Sequence, residues 1–216
     1  MPCVDPANPS SRSSRAESQA RTRERLIEAA RQLLVSHGFG GTSIRDIAER
    51  AGFSQGAFYS NFSGKEDILL ELLRRYMEDE AAQLSAVLDR SGDAADAMLA
   101  GLELWAAELD RETDWAMLSI ELQLHAQRSP AFAVAFLGVW EAHRHALGQL
   151  LTRLFHGLGR QLPAEPSALA AGFMAMAHGL ALQRLSAPDG PGDCVLMVFL
   201  RGLIAGAAPR GDGPGC

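Results

Sequence analysis

Apolar residues recur three and four positions apart along most of this chain, whereas the strict alternation of a half-buried strand is almost absent. A first apolar stripe predicts a helix over residues 18–37 that is closed by Gly38. Further stripes are separated by breaks that contain Gly or Pro, as connections between helices do. They predict eight more helices, over residues 43–51, 54–62, 64–88, 93–110, 114–127, 130–158, 166–185 and 193–206. The pattern therefore predicts an all-α fold of about nine helices.

Both ends of the chain lack this periodicity. Residues 1–17 are rich in Pro, Ser and Arg, and residues 207–216 are rich in Gly and Pro, so both are predicted to be disordered. Between them we expect a small domain over residues 18–64 and a larger one over residues 65–206. The content of 47% hydrophobic residues is enough to bury a sizeable core, and the 6% aromatic content favours helix over sheet.

The most informative stretch is the junction of the second and third predicted helices. Gly52 can adopt the left-handed conformation that a tight turn needs. Ser54 can cap the third helix, while Phe58 and Phe62 lie four apart on its inner face. The outer face then carries short, polar, uncharged residues, which suits the major groove of DNA because acidic side chains there would be repelled by phosphate. A purely structural corner remains the alternative at this point.

Four segments around this corner resemble the TetR family of transcriptional regulators. They read RERLIEAARQLL over residues 23–34, GFGGTSIRDIA over 38–48, AGFSQGAFYSNF over 51–62 and KEDIL over 65–69. The resemblance covers about residues 20–75. It implies that residues 18–64 form a helix-turn-helix DNA-binding domain, preceded by an arm, and that residues 65–206 form a domain for ligand binding and dimerisation.

The resemblance also implies roles for matching positions. Gln55 is the best candidate for a base contact, Gly56 for close backbone approach, and Tyr59 and Lys65 for contacts to phosphate. For Tyr59 the alternative is a core aromatic. The complete DNA-binding set is Thr42, Ser43, Arg45, Ser54, Gln55, Gly56, Ala57, Tyr59, Ser60, Asn61 and Lys65. An arm carrying Arg12, Arg15 and Arg21 either reaches a groove or is a solvated tail.

Charge is distributed unevenly along the chain. The net charge is −6, but residues 1–65 hold nine basic against six acidic side chains, and the rest hold eleven against twenty. The N-terminal part is therefore the one that can approach phosphate. The three cysteines form neither a disulfide framework nor a metal cluster, and no apolar signal core or long apolar run is present. A cytoplasmic protein associated with the nucleoid is expected.

The C-terminal half shows no catalytic constellation, no phosphate-binding loop and no metal-ligand spacing, so neither an enzyme nor a cofactor is predicted. Bulky apolar residues spread over several helices suit a cavity for an apolar or amphipathic ligand, although each of them can equally be core. Histidines on the same helices can supply polar contacts. The predicted ligand-binding set is Trp105, Trp115, Met117, His125, Phe136, Trp140, His143, Phe173 and Met176.

The last two predicted helices are apolar on more than one face, and the last is apolar nearly all round. Such a helix needs cover on both sides. A second copy of the chain would supply it in a four-helix bundle across a two-fold axis; complete burial within one chain is the alternative. The predicted dimer interface is Leu169, Phe173, Leu180, Val195, Val198, Phe199 and Leu203.

The sequence thus predicts a DNA-binding transcriptional regulator. We expect a homodimeric repressor that is released from a palindromic operator by a small apolar or amphipathic effector. Two other hypotheses stay open. A chromosome-organising protein of the same fold would show no ligand response, and a helical enzyme or carrier with a vestigial head would leave no operator footprint.

Overall fold

The computed structural model describes residues 9–92, 94–109, 113–186 and 194–210 of the chain. Within these ranges it contains nine α-helices and no β-strand, which confirms the predicted all-α fold. The helices are α1 (Pro9–Gly41), α2 (Ile44–Ala51), α3 (Gln55–Tyr59), α4 (Lys65–Ser91), α5 (Ala95–Leu109), α6 (Thr113–Ala126), α7 (Pro130–Gly157), α8 (Pro166–Ser186) and α9 (Cys194–Gly206). None of the helices described is long and apolar enough to cross a membrane.

The chain separates into two compact units, Met1–Leu72 and Leu73–Cys216. This boundary lies eight residues beyond the predicted one at residues 64 and 65. Ile68 and Leu69 in the first turns of α4 are fully buried and belong to the first unit, so α4 is continuous across the boundary. The periodicity of α4 identifies its apolar face, but it cannot tell whether a given turn of the helix packs into the first or the second unit.

The first unit is a small helical head built around α1, α2 and α3, which all contact one another. Leu26 and Ala30 of α1, Ile47 of α2 and Phe58 of α3 are inaccessible to solvent. These side chains sit at the apolar positions that the helical spacing predicts. Gly38 has a φ of +68° and interrupts the helical path of α1 close to its predicted end.

The second unit is a bundle in which α7 packs against α6 and α8, α6 also packs against α8, and α9 contacts α5 and α8. One apolar cluster unites Val87 and Leu88 of α4 with Met98 of α5, Phe155 of α7 and Met197 of α9. Because this cluster draws on four helices, it holds the unit together across long separations in sequence.

The two predicted tails need correction. Helix α1 begins at Pro9, so residues 9–17 are helical, while residues 1–8 of the predicted arm lie outside the described residues. Extending an existing helix adds one hydrogen bond for each residue fixed, so it does not require an apolar stripe. Pro9 suits a first helical position because its missing amide hydrogen would have no partner there.

At the other end, residues 207–210 are ordered, and residues 211–216 of the predicted tail lie outside the described residues. The amide of Gln161 donates to the carbonyl of Ala208 at 2.9 Å, and the amide of Arg210 donates to the carbonyl of Gly159 at 2.9 Å. The Arg160 guanidinium also donates to the carbonyl of Ala207. This pairing with the loop after α7 is tertiary, so local composition did not reveal it.

Candidate nucleic-acid interface and ligand cavity

The turn between α2 and α3 is defined by capping at three positions. The Ser43 side chain accepts from the amide of Asp46, and the Asp46 carboxylate accepts from the amide of Ser43, which makes a reciprocal capping box. Hydrogen bonds from Ser43 lower the pKa of Asp46. Gly52 adopts the left-handed conformation with φ +75°, and the Ser54 side chain accepts from the amide of Ala57. The predicted roles of Gly52 and Ser54 are confirmed.

The inner face of α3 is held by aromatic side chains. Phe58 is fully buried and Phe62, just beyond the helix, is nearly so. Their ring centroids lie 5.6 Å apart, and the Tyr59 ring meets the Phe58 ring edge-on at 5.7 Å. Tyr59 is 56% exposed, so it is not the core aromatic that the sequence left open as an alternative. The Phe58 ring therefore anchors α3, and Tyr59 projects from it.

The outer face of α3 presents Gln55, Gly56 and Tyr59 as exposed residues. Two neighbouring polar side chains are occupied within the helix. The Ser60 hydroxyl donates to the carbonyl of Gly56 at 2.9 Å, and the Asn61 amide donates to the carbonyl of Ala57 at 2.8 Å. Of the residues predicted on this face, Gln55 and Tyr59 thus combine exposure with a long polar side chain.

Two arginines of α1 contact residues of the corner between α2 and α3. No role was predicted for them from the sequence. Arg23 donates to the carbonyl of Asn61 at 2.9 Å, lies 3.5 Å from the Glu71 carboxylate and places its guanidinium 4.2 Å from the centroid of Phe62. Arg25 lies over the ring of Phe53 at 4.8 Å. Both arginines come directly before the apolar pair at residues 26–27, and two basic residues at this place are the signal that could have marked them.

Thr42 is a correction to the predicted DNA-binding set. It is 2% exposed, and its hydroxyl donates to the carbonyl of Gly38 at 2.9 Å. This hydrogen bond satisfies a carbonyl near the end of α1, where intrahelical donors run out. Ser43 and Arg45 are exposed, as predicted, but Arg45 forms an ion pair with Glu49 at 2.7 Å along α2.

Lys65 has a structural role that the sequence analysis did not foresee. Its ammonium donates to the carbonyl of Phe39 at 2.7 Å and to the carbonyl of Thr42 at 2.9 Å, and it lies 4.2 Å from the centroid of the Phe39 ring. A compact cation fits between two converging carbonyls, whereas the planar fork of arginine does not. This geometry gives a physical reason for the only lysine in a chain with nineteen arginines.

The second unit contains a cavity of about 120 Å³ between α4, α5, α7, α8 and α9. Its lining is almost entirely apolar. Trp105 of α5, Phe173 and Met174 of α8 and Met197 of α9 contribute to the wall. Glu80 of α4 is the one ionisable residue among the residues that line it.

Glu80 and His143 of α7 form a buried pair, with 3.5 Å between carboxylate oxygen and imidazole nitrogen. Burial raises the pKa of Glu80 to about 7 and lowers the pKa of His143 to about 4. Burial disfavours the charged form of each group, so the two shifts run in opposite directions. At neutral pH the imidazole is therefore neutral, and the carboxyl group is close to its midpoint of ionisation.

Most of the predicted ligand-binding residues lie elsewhere in the second unit. Trp105 and Phe173 line the cavity. Phe136 stacks on Trp140, Trp140 stacks on His178 at 5.2 Å, and the His178 ring is 2.9 Å from the Ser119 hydroxyl. The remaining predicted residues also lie outside the cavity lining. Trp115 stacks on Tyr76, His125 packs against Phe132, and His143 pairs with Glu80. Met117 and Met176 are half-buried.

The predicted dimer residues divide between surface and core. Val198 and Phe199 of α9 are exposed, at 67% and 53%, and Leu169 and Val195 are half-buried. Leu180 is buried within its own unit, which corrects its place in the prediction, while half-buried Phe173 and Leu203 pack against the apolar cluster. A helix that is apolar all round does not reveal which of its faces its own chain covers.

Comparison with known proteins agrees with this architecture. Residues 26–72 match the family described as bacterial regulatory proteins, tetR family. The HTH-type transcriptional repressor AcnR of Corynebacterium glutamicum is 27% identical over 128 residues, which are 59% of this chain and 61% of that protein. The chain thus aligns with about three fifths of the length of this relative.

Two solved structures resemble the whole fold. A transcriptional regulator from Rhodococcus sp. Rha1 is 28% identical, has a TM-score of 0.65 and is matched over 86% of this chain and 97% of its own. The regulator FadR from Bacillus subtilis, in complex with stearoyl-CoA, is 16% identical with a TM-score of 0.65, over 85% of this chain and 97% of its own.

The capped corner and its exposed third helix define the class as helix-turn-helix proteins. Residues 26–72, which contain this corner, match the family of bacterial regulatory proteins described as tetR, and the chain is similar to members of that family.

Replacing Lys65 by Met should destabilise the head. The variant keeps the aliphatic stem but leaves the carbonyls of Phe39 and Thr42 without this donor, so we expect the free energy of unfolding to fall by about 1–3 kcal/mol. Urea denaturation followed by circular dichroism measures the change. Arg45→Met is the matched control, since it removes one exposed cation from the same unit and should leave stability nearly unchanged. Equal stability of Lys65→Met and the wild type would contradict the role of the ammonium.

Replacing Glu80 by Gln should change how stability depends on pH. The folded protein holds the Glu80 proton up to about pH 7, whereas the unfolded chain releases it near its ordinary pKa of 4.5. The wild type therefore loses stability as pH rises through this window, and a Gln does not. The difference in unfolding free energy, Glu80→Gln minus wild type, should therefore increase by up to about 3 kcal/mol between pH 5 and pH 8.

Denaturation curves across this pH range test the expectation. The lowered pKa of His143 acts in the opposite sense, costing stability as pH falls below its ordinary 6.5. Both proteins contain His143, so its effect largely cancels in the difference. Glu78→Gln, on the exposed side of α4, is the control and should run parallel to the wild type. A parallel curve for Glu80→Gln would mean that the carboxyl group is not buried in solution.

Proposed function

We propose that this protein is a transcriptional repressor that binds operator DNA as a homodimer and is released by a small molecule. The observation that carries the proposal is the exposed face of α3, on which Gln55 and Tyr59 project from a helix anchored by buried Phe58. This face lies within the segment that matches the family. The similarity to the repressor AcnR supports repression as the mode of action.

The proposed DNA contacts divide into base readout and backbone positioning. Gln55 opens α3, and its amide can donate to and accept from a base edge in the major groove. Exposed Gly56 lets the duplex approach the backbone closely. The Tyr59 hydroxyl, Ser43 and Arg45 face phosphate. Lys65 contributes chiefly by holding the end of α1 against the start of α2, since its ammonium already donates to two carbonyls there.

The uneven charge supports the same orientation on DNA. Residues 1–65 carry a surplus of three positive charges, and the remainder carries a surplus of nine negative charges. Electrostatic steering therefore brings the head to the duplex and keeps the second unit away from it. Repression of this kind takes place where the DNA lies, which makes the cytoplasm and its nucleoid the proposed location.

The proposed dimer interface is the exposed surface of α8 and α9. Val198 and Phe199 lie on it, and a side chain added at Gly172, Gly179 or Gly202 would meet open space in this chain. Glycine within a helix costs about 1 kcal/mol relative to alanine, and the packing of this chain does not require it at these positions. Close approach of the same two helices from a second copy accounts for the glycines and covers the exposed apolar residues.

The cavity in the second unit is the proposed effector site. The structure of Bacillus subtilis FadR in complex with stearoyl-CoA shows that a protein of this fold binds a small molecule. Helix α4 contributes Glu80, Leu84 and Leu88 to the cavity and begins at Lys65 in the head. A ligand that prefers one position of α4 would thereby shift the spacing of the two heads and lower the affinity for DNA.

We propose no catalytic activity. The relatives found are transcriptional regulators. Among the described residues that line the cavity, Glu80 is the one ionisable residue, and its partner is the neutral imidazole of His143. A chromosome-organising protein would bind many sites without a ligand response, so the DNA experiment below separates it from a repressor.

Selection of duplexes from a random library, at stated salt, should recover a palindromic site. Gln55→Ala should relax the base preference at one symmetric pair of positions, at a cost of about 1–3 kcal/mol for the preferred site. Tyr59→Phe should weaken binding to all sequences by a similar factor, because a phosphate contact carries no base information. The readout is fluorescence anisotropy on selected and scrambled duplexes. Recovery of no common site, with both variants equal to the wild type, would refute the proposal.

Phe199→Asp should convert the dimer into a monomer and abolish binding to the palindrome. A charge would be placed at the centre of the proposed apolar interface, where it has no counter-ion. Sedimentation equilibrium measures the mass. Leu104→Asp is the control, since Leu104 is also apolar and is even more exposed than Phe199, but lies on α5. Dissociation by Leu104→Asp, with Phe199→Asp remaining dimeric, would place the interface elsewhere.

A further inference from the structure

The effector cavity combines an apolar wall with a single acidic group. Its lining residues from α5, α7, α8 and α9 are aliphatic, aromatic or Met side chains, and Glu80 of α4 is the exception. An apolar cavity alone would select ligands by shape and hydrophobicity. One carboxyl group at a fixed point adds a requirement for the charge and position of the ligand's polar group.

No permanent positive charge is paired with Glu80 among the described residues that line the cavity or bond to it. Its partner is His143, whose imidazole burial keeps neutral at pH 7. From α8, His178 acts electrostatically on His143. Burial lowers the pKa of His178 as well, and its ring contacts Ser119 and Trp140. The site is therefore short of one positive charge, which a ligand can supply.

We propose that the cavity selects a small amphipathic amine, whose protonated nitrogen binds the Glu80 carboxylate and whose hydrocarbon body lies against Trp105 and Phe173. This inference rests on the proposed ligand response and names the chemical class of the ligand. A charge-assisted hydrogen bond shielded from water is among the strongest polar contacts in proteins. A carboxylate or phosphate ligand would instead meet a like charge in an apolar setting, where repulsion is weakly screened.

The volume of the cavity sets the size of the ligand. An apolar cavity of roughly 150 Å³ holds one benzene molecule, so about 120 Å³ accommodates a single ring or a short alkyl chain. A long acyl chain exceeds this space. The ligand class that fits this space is thus a short alkyl or arylalkyl amine.

The pKa of Glu80 gives the binding a characteristic pH dependence. Because burial raises this pKa to about 7, the carboxyl group is partly protonated in the empty cavity and must lose its proton when an ammonium binds. Affinity for the amine should therefore increase as pH rises from 6 to 8, while affinity for a neutral analogue should stay constant. His143, the titratable group facing Glu80 from α7, remains neutral across this range.

The test compares hexylamine, hexanol and hexanoate, which share one hydrocarbon chain and differ in charge. Binding to the full chain is measured by calorimetry and by quenching of tryptophan fluorescence, since Trp105 lies on the cavity wall. We expect the amine to bind the wild type at least tenfold more tightly than the alcohol, and the carboxylate to bind more weakly than both. In Glu80→Gln the advantage of the amine should disappear, while the affinity for hexanol changes less than about twofold. Glu78→Gln, which removes an exposed carboxylate from the same helix, should behave as the wild type does.

Equal affinity for all three probes, preference for the carboxylate, or an undiminished amine preference in Glu80→Gln would overturn the inference. If Glu80→Gln does not fold, the order of the three probes on the wild type, with its pH dependence, still decides it. The proposed function is judged separately by anisotropy with operator DNA. Release of DNA by hexanol without a preference for the amine would support the ligand-responsive repressor and contradict the amine specificity. Tight amine binding without release of DNA would support the amine site and contradict the ligand-controlled release.

Discussion

A helix of five residues cannot hold itself together in water, because nucleating a helical turn costs more than a few hydrogen bonds return. Helix α3 therefore exists only as part of the head. The geometry of α3 depends on fully buried Phe58 and on the left-handed turn at Gly52. It also depends on Arg23, which donates a hydrogen bond to the carbonyl of Asn61, just beyond the end of α3. Every contact proposed with DNA depends on this packing, since the exposed residues of α3 point outward only while its inner face is held.

Several cations of the head have structural roles, although the head is proposed to bind the DNA anion. Arg23 and Arg25 lie over phenylalanine rings, and Lys65 fills the space between two carbonyls. These charges contact groups within the head and stabilise the corner. The surplus of positive charge in the head is thus partly a consequence of how the corner is built, and it still contributes to the electrostatic field that a duplex meets.

The interior of the second unit contains two different regions, an aromatic stack and an apolar cavity. In the aromatic stack from Phe136 to His178, the His178 ring is hydrogen-bonded to Ser119, whereas the cavity beside α4 is apolar apart from Glu80. A buried carboxyl group costs stability unless it is paired, and its neutral neighbour His143 does not supply a full charge. Such a cost is common where a site is kept ready for a ligand. Because α4 runs from the cavity into the head, this one helix connects the proposed ligand site with the proposed DNA site.

The sequence by itself determined the all-α fold and the corner, because helical periodicity, capping serines and a left-handed glycine are local signals that need no partner. It also marked Gln55 and Tyr59, since a polar outer face opposite Phe58 is visible in the spacing alone. Only the tertiary structure decided that Thr42 is buried, that Lys65 binds carbonyls and that Trp105 and Phe173, but not Trp140 or Phe136, line the cavity. Periodicity shows that a side chain faces inward, but whether it meets another side chain or an empty space depends on how distant helices pack.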